Sequence, residues 1–100
     1  MLMNIAKEYK EGAAILNVSG RLDTTTAPVL ESSISETTGT CEALVLDLAD
    51  LEYISSAGLR AILKAQKTMS EKGGLKLVHV SETIMEIFEI TGFSDFLTIE

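Results

Sequence analysis

The period of the apolar positions changes several times along this chain, and each change marks an element. Asn4 to Tyr9 and Ala13 to Ser19 read as two strands joined by a tight turn at Glu11-Gly12. Gly20-Arg21-Leu22-Asp23 then leaves the sheet, and Thr24-Thr25-Thr26-Ala27-Pro28 starts a helix. Threonine hydroxyls are expected to cap its orphan N–H groups, and proline is tolerated in the first turn. This helix buries Leu30 and Ile34 and ends near Gly39.

Leu44 to Leu48 is a near-continuous apolar run, as in a central strand covered on both faces. After a Ser55-Ser56 turn, Leu59, Ile62, Leu63 and Met69 recur at helical spacing, and Gly73-Gly74 ends that helix. Leu75 to Val80 is the next strand. Ser81 precedes a short helix burying Ile84, Ile87 and Phe88, Gly92 stops it, and Phe96 to Ile99 forms a last short strand. Alternating strands and helices imply parallel pairing with right-handed crossovers. The expected fold is α/β: a mixed sheet, antiparallel at its start and mostly parallel later, with helices packed on it.

One hundred residues suit a single domain, residues 1–100, with one core. A chain of this length buries about 60–70% of the surface it exposes when unfolded. No apolar run approaches the roughly 18 residues of a membrane helix, so no membrane insertion is expected. Met1 to Lys7 lacks a charged region followed by a sustained apolar one, so no secretory leader is read and a cytoplasmic protein is expected. The formal net charge of −7, with only 8 Lys and Arg, argues against a nucleic acid partner. One cysteine, Cys41, and one histidine, His79, make neither an internal disulfide nor a Cys/His zinc cluster. Cys41 reads as a small residue before a strand, and no cofactor or metal is expected.

The run Tyr53-Ile54-Ser55-Ser56-Ala57-Gly58-Leu59-Arg60 carries the most information about function. A serine at a strand-to-helix turn sits on an exposed corner above a helix N-terminus, whose unpaired N–H groups favour negative charge. Such a serine can accept a phosphate without unfolding the domain. The bland alternative is helix capping alone. Two features raise the functional reading. Gly58 weakens the first turn unless the backbone there is approached closely. Arg60, Lys64 and Lys67 recur at i, i+4 and i+7, a basic stripe starting one turn from Ser56 that reads either as a solvated face or as a contact surface for an acidic partner.

Asp23 reads first as an Asx-type turn residue and second as a neighbour of Ser56 on the same rim. Asp47, Asp50 and Glu52 crowd the approach to Ser56 as an acidic rim, with a magnesium site as the competing reading. His79 raises a Ser56–His79–carboxylate hydrolase. The nucleophile elbow that chemistry uses has glycine two residues before the serine, where this chain has Ile54. A non-enzymatic binding module is the favoured reading.

These residues resemble the STAS-domain proteins, specifically the anti-sigma factor antagonists of bacteria, over essentially the whole chain. Gly20-Arg21-Leu22-Asp23 resembles the family's first signature, and Leu44–Leu48 through Ile54-Ser55-Ser56-Ala57-Gly58-Leu59 the second. The second is typically written Asp-Ser-Ser/Thr-Gly-Leu, with its first serine phosphorylated. Aligned on Gly58, the acceptor falls on Ser56, and Ser55 replaces the usual aspartate and stands as a second candidate. The resemblance implies a partner-switching cycle. The unphosphorylated protein binds an anti-sigma factor with a serine-kinase ATPase domain and so releases a sigma factor. That kinase phosphorylates the antagonist to turn it off, and a metal-dependent serine phosphatase restores it. The expected contact residues are Asp23, Ser55, Ser56, Gly58, Arg60, Lys64 and Lys67. The alternative within the same family is an unphosphorylated subunit of a transport or lipid-trafficking complex.

Overall fold

The computed structural model describes residues 3–39 and 41–100. Met1 and Leu2, which open the stretch read for a leader, lie outside the described residues, as does Thr40. The chain begins with strands β1 (Asn4–Lys10) and β2 (Ala13–Leu22), followed by helix α1 (Ala27–Thr38). Strands β3 (Ala43–Asp47) and β4 (Leu51–Ile54) lead to helix α2 (Ser56–Met69). Strand β5 (Leu75–Val78), helix α3 (Glu82–Thr91), a 3-10 turn over Phe93–Asp95 and strand β6 (Thr98–Ile99) complete the chain. The mixed α/β sheet expected from the sequence is present.

β1 and β2 pair antiparallel, from Asn4 opposite Ser19 to Lys10 opposite Ala13. Glu11 and Gly12 both take positive φ, 48° and 86°, the backbone twist that joins two strands most tightly. All other pairings are parallel, and the order across the sheet is β1-β2-β3-β5-β6.

β2 is longer than its sequence suggests. Gly20-Arg21-Leu22 does not leave the sheet. It continues the strand, because β4 takes over as its neighbour where β3 ends. The register slips between Gly20 and Arg21, and the Gly20 N–H donates to Asp50 O at 3.1 Å. Leu51–Ile54, read from the sequence as loop, is therefore a strand. Its ends Leu51 and Ile54 are buried while Glu52 and Tyr53 between them are exposed, so no alternation announces it.

Along β2, Ala14, Leu16, Val18 and Leu22 are fully buried while their neighbours are half-buried. β3 repeats this pattern, so it is covered fully on one face and only partly on the other, unlike the two-sided burial its apolar run suggested. The covered face meets Leu30 of α1, Leu59, Ile62 and Met69 of α2, and Ile84 and Phe88 of α3 in one core. Ile87 is only half-buried. β5 stops at Val78 because His79 takes φ 57°, outside the strand region. β6 uses only the last two of the four residues expected there. Cys41 is buried just before β3. No helix among the described residues is long and apolar enough to cross a membrane.

Candidate functional site at the start of α2

The site forms where β2 and β4 end side by side. Leu22 pairs with Ile54, and the Ser55 N–H donates to Leu22 O at 2.9 Å. This bond holds the chain extended at Ser55 (φ −98°, ψ 175°) before it turns into α2. The two serines then divide the work. Ser55 is the N-cap, and its Oγ accepts the Gly58 N–H at 3.3 Å. Ser56 is the first helical residue, exposed, and its hydroxyl has no hydrogen-bond partner among the described residues. The first turn of α2 carries no acidic residue. The positive end of the helix dipole is therefore not offset by its own first turn.

Gly58 is buried beneath this turn. A Cβ there would lie 2.7 Å from Leu22 Cγ and 2.9 Å from Ile54 Cγ1. The close backbone approach expected at Gly58 is real, and its neighbours are the last core residues of β2 and β4. This packing seats the two serines against the strand ends.

Asp23 follows Leu22 at the end of β2, and its hydrogen bonds are those of the expected Asx-type turn. Its Oδ1 accepts the Thr25 hydroxyl (2.8 Å), the Thr25 N–H (3.0 Å) and the Thr26 N–H (3.1 Å). Led by the Thr25 hydroxyl and the Thr26 N–H, these bonds hold the Asp23 carboxyl below its ordinary value, against a smaller opposing effect of burial. The expected threonine capping is not made; the Ala27 N–H donates to Asp23 O at 2.8 Å, and the Val29 and Leu30 N–H groups donate to Thr26 O at 2.9 and 3.2 Å. Thr26 Oγ1 accepts the Asp23 N–H and donates to Arg21 O, each at 2.8 Å, and makes no cap bond to α1.

The basic stripe is less uniform than its spacing suggests. Arg60 is exposed one turn from Ser56. Lys64 reaches across to Glu31 of α1 at 3.7 Å, and Lys67 is exposed in the last turn of the helix. Only Arg60 stands near the serines.

The three acidic residues do not converge on one point among the described residues. Asp47 Oδ1 accepts the Ala49 N–H at 3.0 Å and lies 3.1 Å from His79 Nδ1, and Asp47 and Asp50, without Glu52, line one cavity beside β1 and β2. Among the described residues, no group of three His, Cys, Asp or Glu could hold a metal ion. His79 engages Asp47 and has no contact with Ser56 among the described residues. The relay that a serine hydrolase needs is not assembled.

A feature hidden from sequence reasoning stands beside the site. Arg21 and Tyr53 pair across β2 and β4, with the guanidinium 4.2 Å from the ring centroid. The pair escapes notice because it depends on β4, which has no strand signature of its own.

The chain matches the STAS domain model over residues 4–100. It is 31% identical over 100 residues to the anti-sigma-B factor antagonist of Bacillus subtilis, covering 99% of this chain and 92% of that protein. It is 34% identical over 104 residues to the anti-sigma-B factor antagonist of Listeria monocytogenes, covering 98% and 90%. The crystal structure of an anti-sigma factor antagonist from Mycobacterium paratuberculosis superposes with a TM-score of 0.89 at 25% identity, covering 98% of this chain and 85% of that one. The chain belongs to the STAS-domain family, in the branch of the anti-sigma factor antagonists.

Proposed function

We propose that this chain, acting as one STAS domain, is an anti-sigma factor antagonist switched by phosphorylation of Ser56. Unphosphorylated, it binds an anti-sigma factor through the rim of Asp23, Ser55 and Ser56 and the helix face of Arg60, Lys64 and Lys67. Gly58 contributes by keeping that rim close to the sheet. The anti-sigma factor carries the serine kinase, and a metal-dependent serine phosphatase resets the switch. A cycle that consumes ATP belongs in the cytoplasm.

One observation carries the choice of acceptor. The Ser55 hydroxyl is committed to the Gly58 N–H, whereas the Ser56 hydroxyl is exposed and uncommitted. A kinase needs a hydroxyl it can reach without breaking a cap. A phosphate on Ser56 adds about −1.5 to −2 charge at neutral pH. The helix N-terminus tolerates that charge, so the fold stays intact. Within an interface the same group has to be desolvated near Asp23, which disfavours the complex. A loss of about 2.7 kcal/mol is already a hundredfold in affinity.

The test pairs mass spectrometry with binding. Phosphate is expected on Ser56 and absent from Ser56→Ala. Ser56→Ala should hold the anti-sigma factor constitutively, and Ser56→Asp should bind about a hundredfold more weakly. Equal binding by both variants, or phosphate on Ser55, would overturn this assignment. Recovery of membrane components with a chain that never carries phosphate would favour a transport-complex subunit instead.

A further inference from the structure

We propose that the outward face of α3, with the 3-10 turn that follows it, is a docking surface for a basic amphipathic segment of a partner protein. The surface includes none of the residues assigned to the Ser56 site, so the inference stands independently of that reading.

Two observations coincide there. The first is apolar exposure. α3 buries Ile84 and Phe88 against the core and turns Glu82, Glu86, Glu89 and Ile90 outward. Ile90 is 83% exposed and Phe96 65%, the two most exposed large apolar side chains among the described residues. Gly92, at φ 82°, reverses the chain so that the 3-10 turn leading to Phe96 packs back on α3. Half-buried Met85 joins Glu82, Glu86 and Glu89 in lining a shallow cavity of about 260 Å³. The fold makes no use of Ile90 or Phe96.

The second is charge. All 8 Lys and Arg of the chain lie at or before Lys76, whereas Glu82, Glu86, Glu89, Asp95 and Glu100 lie after it. Glu100 is paired with Lys76 at 3.3 Å. Glu82, Glu86, Glu89 and Asp95 have no ion pair among the described residues. Glu82 and Glu86 are one helical turn apart, and so are Glu86 and Glu89, spacings at which like charges destabilise a helix. Exposed apolar side chains on a segment that carries unrelieved carboxylates are poor design for a free surface and suit a cationic partner.

Charge also selects the occupant. A second copy would bring the same carboxylates face to face, and nucleic acid or an anionic lipid surface would be repelled. A segment with apolar anchors for Ile90, Phe96 and Met85, flanked by Lys or Arg, complements every group present. A helix with its apolar residues at i, i+3 and i+4 is the simplest such segment.

The probe is a short helical peptide of Leu and Lys at that spacing, with a Leu/Glu peptide and a scrambled Leu/Lys peptide as controls. Amide shifts in the labelled protein are expected to concentrate over α3 and around Phe96, and neither control should reproduce them. Two double variants, Ile90→Ser with Phe96→Ser and Glu86→Lys with Glu89→Lys, should each weaken binding about tenfold or more. All four positions are exposed, and denaturant midpoints close to the parent's would verify that both variants fold. Shifts centred on Asp47, Asp50 and Glu52, or affinity unchanged in both variants, would overturn the proposal. So would concentration-dependent self-association of the parent that the Ile90→Ser, Phe96→Ser variant abolishes, which would make a second copy the occupant.

Discussion

Gly58 sits so close to Leu22 that a single added carbon would put its Cβ 2.7 Å from Leu22 Cγ. Alanine is the better helix former by about 1 kcal/mol, so an unhindered Gly58→Ala would stabilise α2. Here the methyl meets a fully buried leucine and the buried Ile54 together, and overpacking of that kind costs about 1–3 kcal/mol. The clash outweighs the propensity. Gly58→Ala is expected to lower the urea midpoint, and the affinity for the anti-sigma factor with it, since the helix start must lift from the strand ends. A midpoint above the parent's would mean that Leu22 yields freely.

The two serines should separate cleanly in stability. Ser55→Ala removes the cap on Gly58 N–H and is expected to cost about 1 kcal/mol. Ser56→Ala removes no bond and should change stability by less than about 0.5 kcal/mol. Equilibrium unfolding of both variants measures the difference directly. A larger loss from Ser56→Ala than from Ser55→Ala would reverse the roles given to the two hydroxyls.

Asp23 supplies a pH dependence whose sign follows from its bonds. The carboxyl is held below its ordinary value near 3.8, chiefly by the Thr25 hydroxyl and the Thr26 N–H. A depressed folded-state value means that the stabilisation is present above the unfolded value and lost as pH falls through the folded one. Asp23→Asn keeps an accepting oxygen and removes the charge. The gap in urea midpoint between parent and variant should stay constant down to about pH 5 and narrow below 3.8. A gap that widens on acidification would contradict the bonding described for this turn.

Much of this fold could be read from the residues because local chemistry and tertiary context agree. Glu11-Gly12 reads as a tight turn, Ser81 as preceding a helix and Gly92 as its stop, and each is found, with Ser81 capping the Ile84 N–H and Gly92 left-handed. The two misread strand segments share one cause. Gly20-Arg21-Leu22 and Leu51–Ile54 are strands only because they pair with each other, and neither alternates convincingly alone. Pairing between segments distant in sequence leaves no periodic trace. At the serines, motif and spacing located the strand-to-helix turn, while the division between a capping and a free hydroxyl follows only from the three-dimensional structure.

β1 and β6 close the two ends of the β1-β2-β3-β5-β6 order, and they differ in how they meet solvent. β6 has two residues, too few to template another chain, and β1 carries Lys7, Glu8 and Lys10 along its seven. Charges along an outer strand penalise pairing with a foreign one. The exposed backbone of these two strands therefore offers little footing for irreversible aggregation.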